Sequence, residues 1–205
     1  IAVWIINNFP QLKPLNILDL GCTIGNNTLP YKQAFPSSNV FGIDVSEPCI
    51  RYAHARASEL GWDIKFHQEN AEKTSFPEGY FDLIVSRILL HETSTKALRN
   101  IITECNRLLK PGGIMIHSDA PQFDTISSYD ASLRDWDINC NNEPFMMTLY
   151  NMSLKDLYSE CGFNEKHYIQ EFIPSLFINK NKIDINATPG FRQSYFLTGS
   201  IKTQH

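Results

Sequence analysis

Residues 16–28 constrain the fold of this chain more than any other segment, because they read N-I-L-D-L-G-C-T-I-G-N-N-T. The apolar run at 17–20 is typical of a strand buried in a parallel sheet. Gly21 and Gly25 then predict a tight turn that closes the strand. A ligand can approach such a turn closely, because the backbone there carries few side chains.

A helix is expected directly after this turn. Asn26 or Asn27 is predicted to cap it, and Pro30 falls in its first turn, where a missing N–H costs little. The start of a helix presents unpaired N–H donors. Strand, turn and helix start together predict a ligand cradle.

Five motifs follow one another at compatible spacing along the first half of the chain. They are Asp19-x-Gly21-x-x-x-Gly25, Phe41-Gly42-Ile43-Asp44, Asn70-Ala71-Glu72, Phe81-Asp82-Leu83-Ile84-Val85-Ser86 and Leu108-Leu109-Lys110-Pro111-Gly112-Gly113. In this series, over about residues 16–118, the chain resembles the class I S-adenosylmethionine-dependent methyltransferases. The resemblance implies an α/β fold with a doubly wound, mostly parallel seven-stranded sheet, an antiparallel last strand and helices on both faces. It departs from the family at Thr23, where the turn usually has a glycine.

The resemblance also implies S-adenosyl-L-methionine as cofactor and a set of residues that contact it. Asp44 is the expected acceptor for two ribose hydroxyls, since it follows Asp19 by 25 residues, near the offset of about 20 seen for ribose-binding acids. Its alternative role is to cap the next helix, for which Ser46 is also available. Asn70 is expected at the adenine. The full predicted set is Asp19, Gly21, Cys22, Thr23, Gly25, Thr28, Asp44, Val45, Asn70, Ala71, Glu72, Ser86 and Arg87.

His91 is the predicted catalytic residue. It lies just beyond the fourth predicted strand, at the carboxyl edge where open α/β sheets bind ligands. Its ordinary pKa is near neutrality, which suits removal of a proton from a methyl acceptor. The alternative is a histidine that bonds to backbone and shapes the cofactor pocket. His91-Glu92 is not the start of a metalloprotease motif, because position 95 is Thr.

Residues 120–152 interrupt the alternation of strands and helices, and we interpret them as a lid-like insertion within a single domain that spans 1–205. Part of this segment, notably 128–136, is predicted to be helical. Trp136, Glu143 and Tyr150 are the predicted substrate-binding residues. Acids and aromatics together suit a cationic or amine-bearing substrate. The alternative is a structural cap whose aromatic residues fill core.

Composition and net charge limit the classes of binding partner that the sequence predicts. Net charge is −4 without a lysine-arginine run, which favours a small-molecule acceptor over nucleic acid. No apolar segment reaches the roughly 18 residues of a membrane span, and no signal peptide is visible. The five cysteines are scattered and include no C-x-x-C pair, so the sequence predicts neither a metal site nor disulfides. A cytoplasmic location is therefore expected.

Two other functions share part of this pattern. A nicotinamide-dependent reductase would have a similar glycine turn, but no Tyr-x-x-x-Lys pair occurs. The donor motifs are also compatible with a protein that binds the nucleoside cofactor without catalysis. The sequence specifies neither the acceptor atom (oxygen, nitrogen, carbon or sulfur) nor the oligomeric state.

Further predicted elements are helices at 2–9, 48–60, 95–109 and from 153 to 162, strands at 39–44, 64–68, 81–86 and 114–117, an antiparallel pair at 165–172 and 193–202, and a polar loop at 179–190.

Overall fold

The computed structural model describes residues 1–121, 127–174 and 194–203. The predicted loop at 179–190, together with Gln193, lies outside these residues. The helices are α1 (Ala2–Asn8), α2 (Leu29–Ala34), α3 (Glu47–Glu59), α4 (Thr95–Leu108), α5 (Ser128–Asn141), α6 (Met146–Tyr150) and α7 (Leu154–Glu160). The strands are β1 (Asn16–Leu20), β2 (Asn39–Asp44), β3 (Ile64–Gln68), β4 (Phe81–Arg87), β5 (Leu109–Asp119), β6 (Tyr168–Pro174) and β7 (Ser194–Ile201), with short 3-10 turns at Leu90–Glu92 and Glu165–His167.

The strands form one sheet in the order β3-β2-β1-β4-β5-β7-β6. The first five strands run parallel, whereas β7 pairs antiparallel with both β5 and β6. The strand order reverses between β1 and β4, so the carboxyl ends of β1, β2 and β4 meet where open α/β sheets hold ligands. This arrangement confirms the predicted fold class.

Each face of the sheet carries its own apolar core, because neighbouring residues of a strand point to opposite faces. Ile17 and Val85 pack with α1, α2 and α3 on one face. Leu18 and Ile84 pack with α4 and α7 on the other. Helices therefore cover both faces, as predicted. No helix within the described residues combines the length and the apolar character needed to cross a bilayer.

Three local predictions need correction. The N-cap position of the helix after β1 is Thr28, not Asn26 or Asn27, and the Thr28 side chain makes no capping hydrogen bond. Arginines engage both asparagine side chains: Arg56 donates to Asn26 Oδ1 and Arg87 donates to Asn27 Oδ1. β5 begins at Leu109, not Ile114, and residues 110–113 bulge out of its register with β4. The predicted helix at 128–136, α5, continues past Trp136 to Asn141 and ends where Asn142 turns left-handed, with φ of 56°.

The lid-like segment has a small apolar cluster of its own. Ile138, Met146 and Tyr150 are buried together, with Ala120 and Met147 packed against them. The Arg134 guanidinium donates to the Tyr150 hydroxyl at 3.0 Å. α5 and α6 are thus joined by their own contacts.

Candidate functional site

The turn after β1 has the left-handed backbone that its glycines predict. Gly21 and Gly25 have φ of 65° and 80°. A Cβ on Gly25 would lie 2.6 Å from the Phe66 ring, so this glycine also permits close packing against β3. Thr23 has φ of 47° although it is β-branched. The turn therefore holds one residue in a conformation that costs roughly 1–2 kcal/mol for an L side chain.

The Asp44 carboxylate fixes this turn from the end of β2. Its Oδ2 accepts the Thr23 N–H at 3.0 Å, and its Oδ1 accepts the Ser46 N–H at 2.8 Å. Ser46 is the N-cap of α3 but makes no side-chain cap bond, so Asp44 satisfies the start of that helix. A carboxylate has about four lone-pair sites, and these two bonds leave about two for further donors. That residual capacity fits two ribose hydroxyls.

Asp19 and Thr28 form a buried pair beneath the turn. Thr28 Oγ1 donates to Asp19 Oδ2 at 2.6 Å, and Asp19 is 2% exposed. Burial raises the pKa of Asp19 to about 7; the Thr28 hydrogen bond opposes that rise and the charge of Asp44 adds to it. Both side chains fix the turn from inside, and direct contact of either with a cofactor stays a prediction.

Two further predicted residues also point inward. The Cys22 side chain is 1% exposed, and its N–H donates to the Ile43 carbonyl at 2.9 Å. Ser86 Oγ lies 2.7 Å from His117 Nδ1 in the core. Burial lowers the pKa of His117 to about 4, so this histidine is neutral near pH 7. Cys22 and Ser86 are thus both buried, and contact of either with a cofactor stays a prediction.

The end of β4 approaches the loop after β1. Arg87 Nη1 donates to Asn27 Oδ1 at 3.1 Å, which places a positive charge beside the turn. Ile88, the next residue, has φ of 55° and is exposed. Thr23 and Ile88 are thus β-branched residues in left-handed conformations, and strain of this kind is concentrated at functional sites.

The remaining predicted cofactor residues lie in the loop after β3 and beside Asp44. Asn70 Oδ1 accepts the Glu72 N–H at 2.9 Å, and Glu72 in turn accepts from Asn100. Ala71 packs against the core. Asn70 Oδ1 keeps a lone pair for an adenine amine. Val45 is 64% exposed next to Asp44.

His91 is oriented by Asp119, a residue that the sequence places at the functional edge of the sheet without pairing it to His91. Its Nδ1 lies 2.5 Å from Asp119 Oδ1, and the same carboxylate accepts N–H groups from Leu89, Leu90 and Ala120. Asp119 ends β5 next to β4, so its position at the functional edge is visible in the sequence, but its partner is not.

The electrostatics of His91 follow from this pairing. Burial disfavours charge on the imidazole, but the hydrogen bond and charge of Asp119, with Glu92 and Glu143 farther out, outweigh it and raise the pKa of His91. The proton on Nδ1 of His91 faces Asp119, and Nε2 lies on the side of Glu92, whose Oε1 is 3.5 Å away. Such a pair can hold a proton taken from an acceptor.

The three predicted substrate residues occupy different settings in the lid-like segment. Trp136 is 66% exposed on α5, whereas Tyr150 is 2% exposed and bonds to Arg134. Glu143, in the link between α5 and α6, reaches His91: one oxygen of Glu143, one of Glu92 and a ring nitrogen of His91 all lie within 4.8 Å of one another. Of the three, Glu143 is the one that the structure brings to His91, and their contact with a substrate stays a prediction.

The chain is similar in sequence to known methyltransferases. A family model described as a methyltransferase domain matches residues 17–113. The chain is similar to the tRNA N(3)-methylcytidine methyltransferase Mettl2 of Drosophila melanogaster, with 28% identity over 137 residues that cover 59% of this chain and 42% of the relative. It is also similar to the demethylmenaquinone methyltransferase of Thermus thermophilus, with 29% identity over 54% of this chain and 50% of the relative. The chain thus spans half or less of the length of these relatives.

A solved structure shows the same fold over the whole chain. The crystal structure of the YcgJ protein from Bacillus subtilis superposes with a TM-score of 0.68 at 19% identity, and covers 100% of this chain and 98% of that one.

Proposed function

The chain belongs to the class I S-adenosylmethionine-dependent methyltransferase family, and we propose on this basis that it binds S-adenosyl-L-methionine and methylates a small-molecule acceptor. When bound, this donor supplies a methyl carbon already activated by a sulfonium. The protein's tasks are then to hold the donor, to align the acceptor and, where the acceptor carries a proton, to remove it.

One observation carries the proposal. The Asp44 carboxylate binds the Thr23 N–H of the glycine turn and still has acceptor capacity at the switch point of the sheet. In this proposal Asp44 accepts the ribose hydroxyls, Asn70 meets the adenine, and Arg87 lies near the donor's carboxylate. The His91–Asp119 pair removes the acceptor's proton, and the lid-like segment covers the acceptor.

A small molecule is favoured as acceptor over nucleic acid because net charge is −4. The similar proteins named above act, by their names, on tRNA and on demethylmenaquinone. Because these relatives differ so widely in acceptor, the acceptor has to be inferred from this chain's own residues.

Replacement of Asp44 by alanine tests the donor site. Each charge-assisted hydrogen bond contributes roughly 1.5–3 kcal/mol, so loss of two should weaken binding of S-adenosylmethionine by at least about tenfold. Titration calorimetry on folded protein measures this, and Asp63→Ala, at an exposed aspartate, is the matched control. Unchanged affinity in Asp44→Ala would remove Asp44 from the site, and failure of the parent to bind S-adenosylmethionine would refute the function.

Transfer of labelled methyl to a metabolite panel separates an enzyme from a protein that only binds the donor.

A further inference from the structure

His91, Glu92 and Glu143 form an acceptor cluster that no lysine or arginine neutralises within the described residues. Their three ligand atoms lie within 4.8 Å of one another. Among the described residues neither glutamate forms an ion pair with a lysine or arginine; the one ionic contact is between Glu92 Oε1 and His91 Nε2, at 3.5 Å. Carboxylates this close together repel one another unless a cation lies between them.

The second observation is the buried imidazole beneath the glutamates. The His91 side chain is 8% exposed, and its Nδ1 is engaged by Asp119 Oδ1. Asp119 accepts three backbone N–H groups as well, so it acts only as an acceptor. Neutral His91 therefore keeps its proton on Nδ1 and presents the Nε2 lone pair to the two carboxylates. Three acceptors then face one another, and each lacks a donor within the part of the chain that the structure describes.

The cluster also has the right place for a methyl acceptor. Leu89, two residues before His91, lies against the glycine turn: a Cβ on Gly21 would be 3.0 Å from Leu89 Cδ1. Glu143 comes from the lid-like segment. The acceptor cluster is thus connected to the donor turn through Leu89 and to the lid-like segment through Glu143.

Its dimensions favour an ammonium group. Glu92 Oε1 and His91 Nε2 are 3.5 Å apart and all three ligand atoms lie within 4.8 Å of one another, so a nitrogen just above their plane can lie about 2.8 Å from each, the ordinary length of an N–H···O or N–H···N hydrogen bond. An ammonium has three N–H donors for these three acceptors.

We propose that the acceptor of the proposed methyl transfer is an amine, bound as its ammonium by Glu92, Glu143 and His91 Nε2. This inference rests on the proposed function and adds the acceptor's chemistry. The ammonium first gives a proton to His91 Nε2, which frees the nitrogen lone pair. The nitrogen–methyl bond forms as the sulfur–methyl bond breaks, and the sulfur keeps the bonding electrons. A methylated ammonium leaves, and the imidazolium, held by Asp119, returns its proton to water.

Matched amines and alcohols test the proposal. Calorimetry on protein saturated with S-adenosylhomocysteine should show that 2-phenylethylamine and n-butylamine bind at least about tenfold more tightly than 2-phenylethanol and n-butanol. Labelled methyl should pass to the amines. Glu92→Gln and Glu143→Gln should each weaken amine binding by about tenfold or more while the affinity for S-adenosylmethionine is kept, because each loses one charge-assisted hydrogen bond. Glu59→Gln, at an exposed glutamate of α3, should behave as the parent does.

Several outcomes would overturn the proposal. These are equal affinity for amine and alcohol, no binding of either amine, or methylation of the alcohols in preference to the amines. A single Mn²⁺ that binds tightly in paramagnetic resonance and is lost in Glu143→Gln would assign the cluster to a metal instead. If the parent binds S-adenosylmethionine but no amine, only this inference fails; if it does not bind S-adenosylmethionine, the proposed function fails.

Discussion

Replacement of Asp19 by asparagine should make the stability of this protein much less sensitive to pH. The Asp19 side chain is 2% exposed and has one side-chain hydrogen bond, from Thr28. Desolvation raises the pKa of this carboxyl from its ordinary value of 3.8 to about 7 in the folded protein. The folded protein therefore keeps a proton on Asp19 over a pH range in which the unfolded chain has lost it.

The sign and size of the effect follow from this difference. Between about pH 4 and pH 7 the folded state binds more protons, so its stability falls as pH rises. Each pKa unit corresponds to 1.36 kcal/mol, so a shift of roughly three units costs on the order of 4 kcal/mol above pH 7 and nothing below pH 4. The asparagine side chain of the variant carries no charge and escapes this cost. Its unpaired amide N–H groups cost about 1–3 kcal/mol at every pH, which displaces the difference curve without changing its slope.

Urea unfolding of both proteins at several values between pH 4 and pH 8.5 measures the effect. The free energy of unfolding of Asp19→Asn minus that of the parent should rise by about 4 kcal/mol across this range, because other titrating groups cancel. Asp63→Asn is the matched control, since the Asp63 side chain is 80% exposed. A flat difference, or one confined to pH below 4, would show that Asp19 ionises normally and would refute the reasoning.

Three further predictions come from the same edge of the sheet. In thermal melts, Thr23→Gly should leave stability unchanged or raise it by up to about 1 kcal/mol, because relief of the left-handed strain exceeds the entropic cost of glycine. Thr103→Gly, at an exposed position of α4, should cost about 1 kcal/mol in the same melts, and equal losses would argue against strain. His91→Asn should lower the rate of methyl transfer about 100-fold and keep the affinity for the donor. The parent's rate should fall as pH drops through the raised pKa of His91. A parallel loss of donor binding in the variant would favour a pocket-shaping role. The stability that His91 contributes should be full below about pH 6.5 and disappear as pH rises through its raised pKa.

The sequence predicts features that depend on neighbours along the chain. The apolar run of β1, the glycines of the turn and the acid that ends β2 are local patterns, and the structure has all three. The Ser153 cap of α7 is equally local: the Ser153 side chain accepts the N–H of Asp156, three residues on.

Contacts between distant segments are what the sequence misses. His91 and Asp119 are 28 residues apart, and nothing in either segment marks them as partners. Asn26 and Asn27 have the right residue type for a cap, but arginines from α3 and β4 engage their side chains. The proximity of Glu143 to His91 likewise depends on how the lid-like segment returns to the sheet.

The order of the strands has a consequence for synthesis. β7 is the last strand in the sheet to be made, yet it lies between β5 and β6 and provides the pairing that β6 has in the sheet. A ribosome that adds about 5–20 residues per second needs on the order of seconds to pass from β6 to the end of β7. During that interval β5 is an open edge with buried-type residues such as Met115 and Ile116, and β6 has no partner. A nascent chain stalled before Ser194 should therefore associate with other chains through this edge, and release from the stall should remove that tendency.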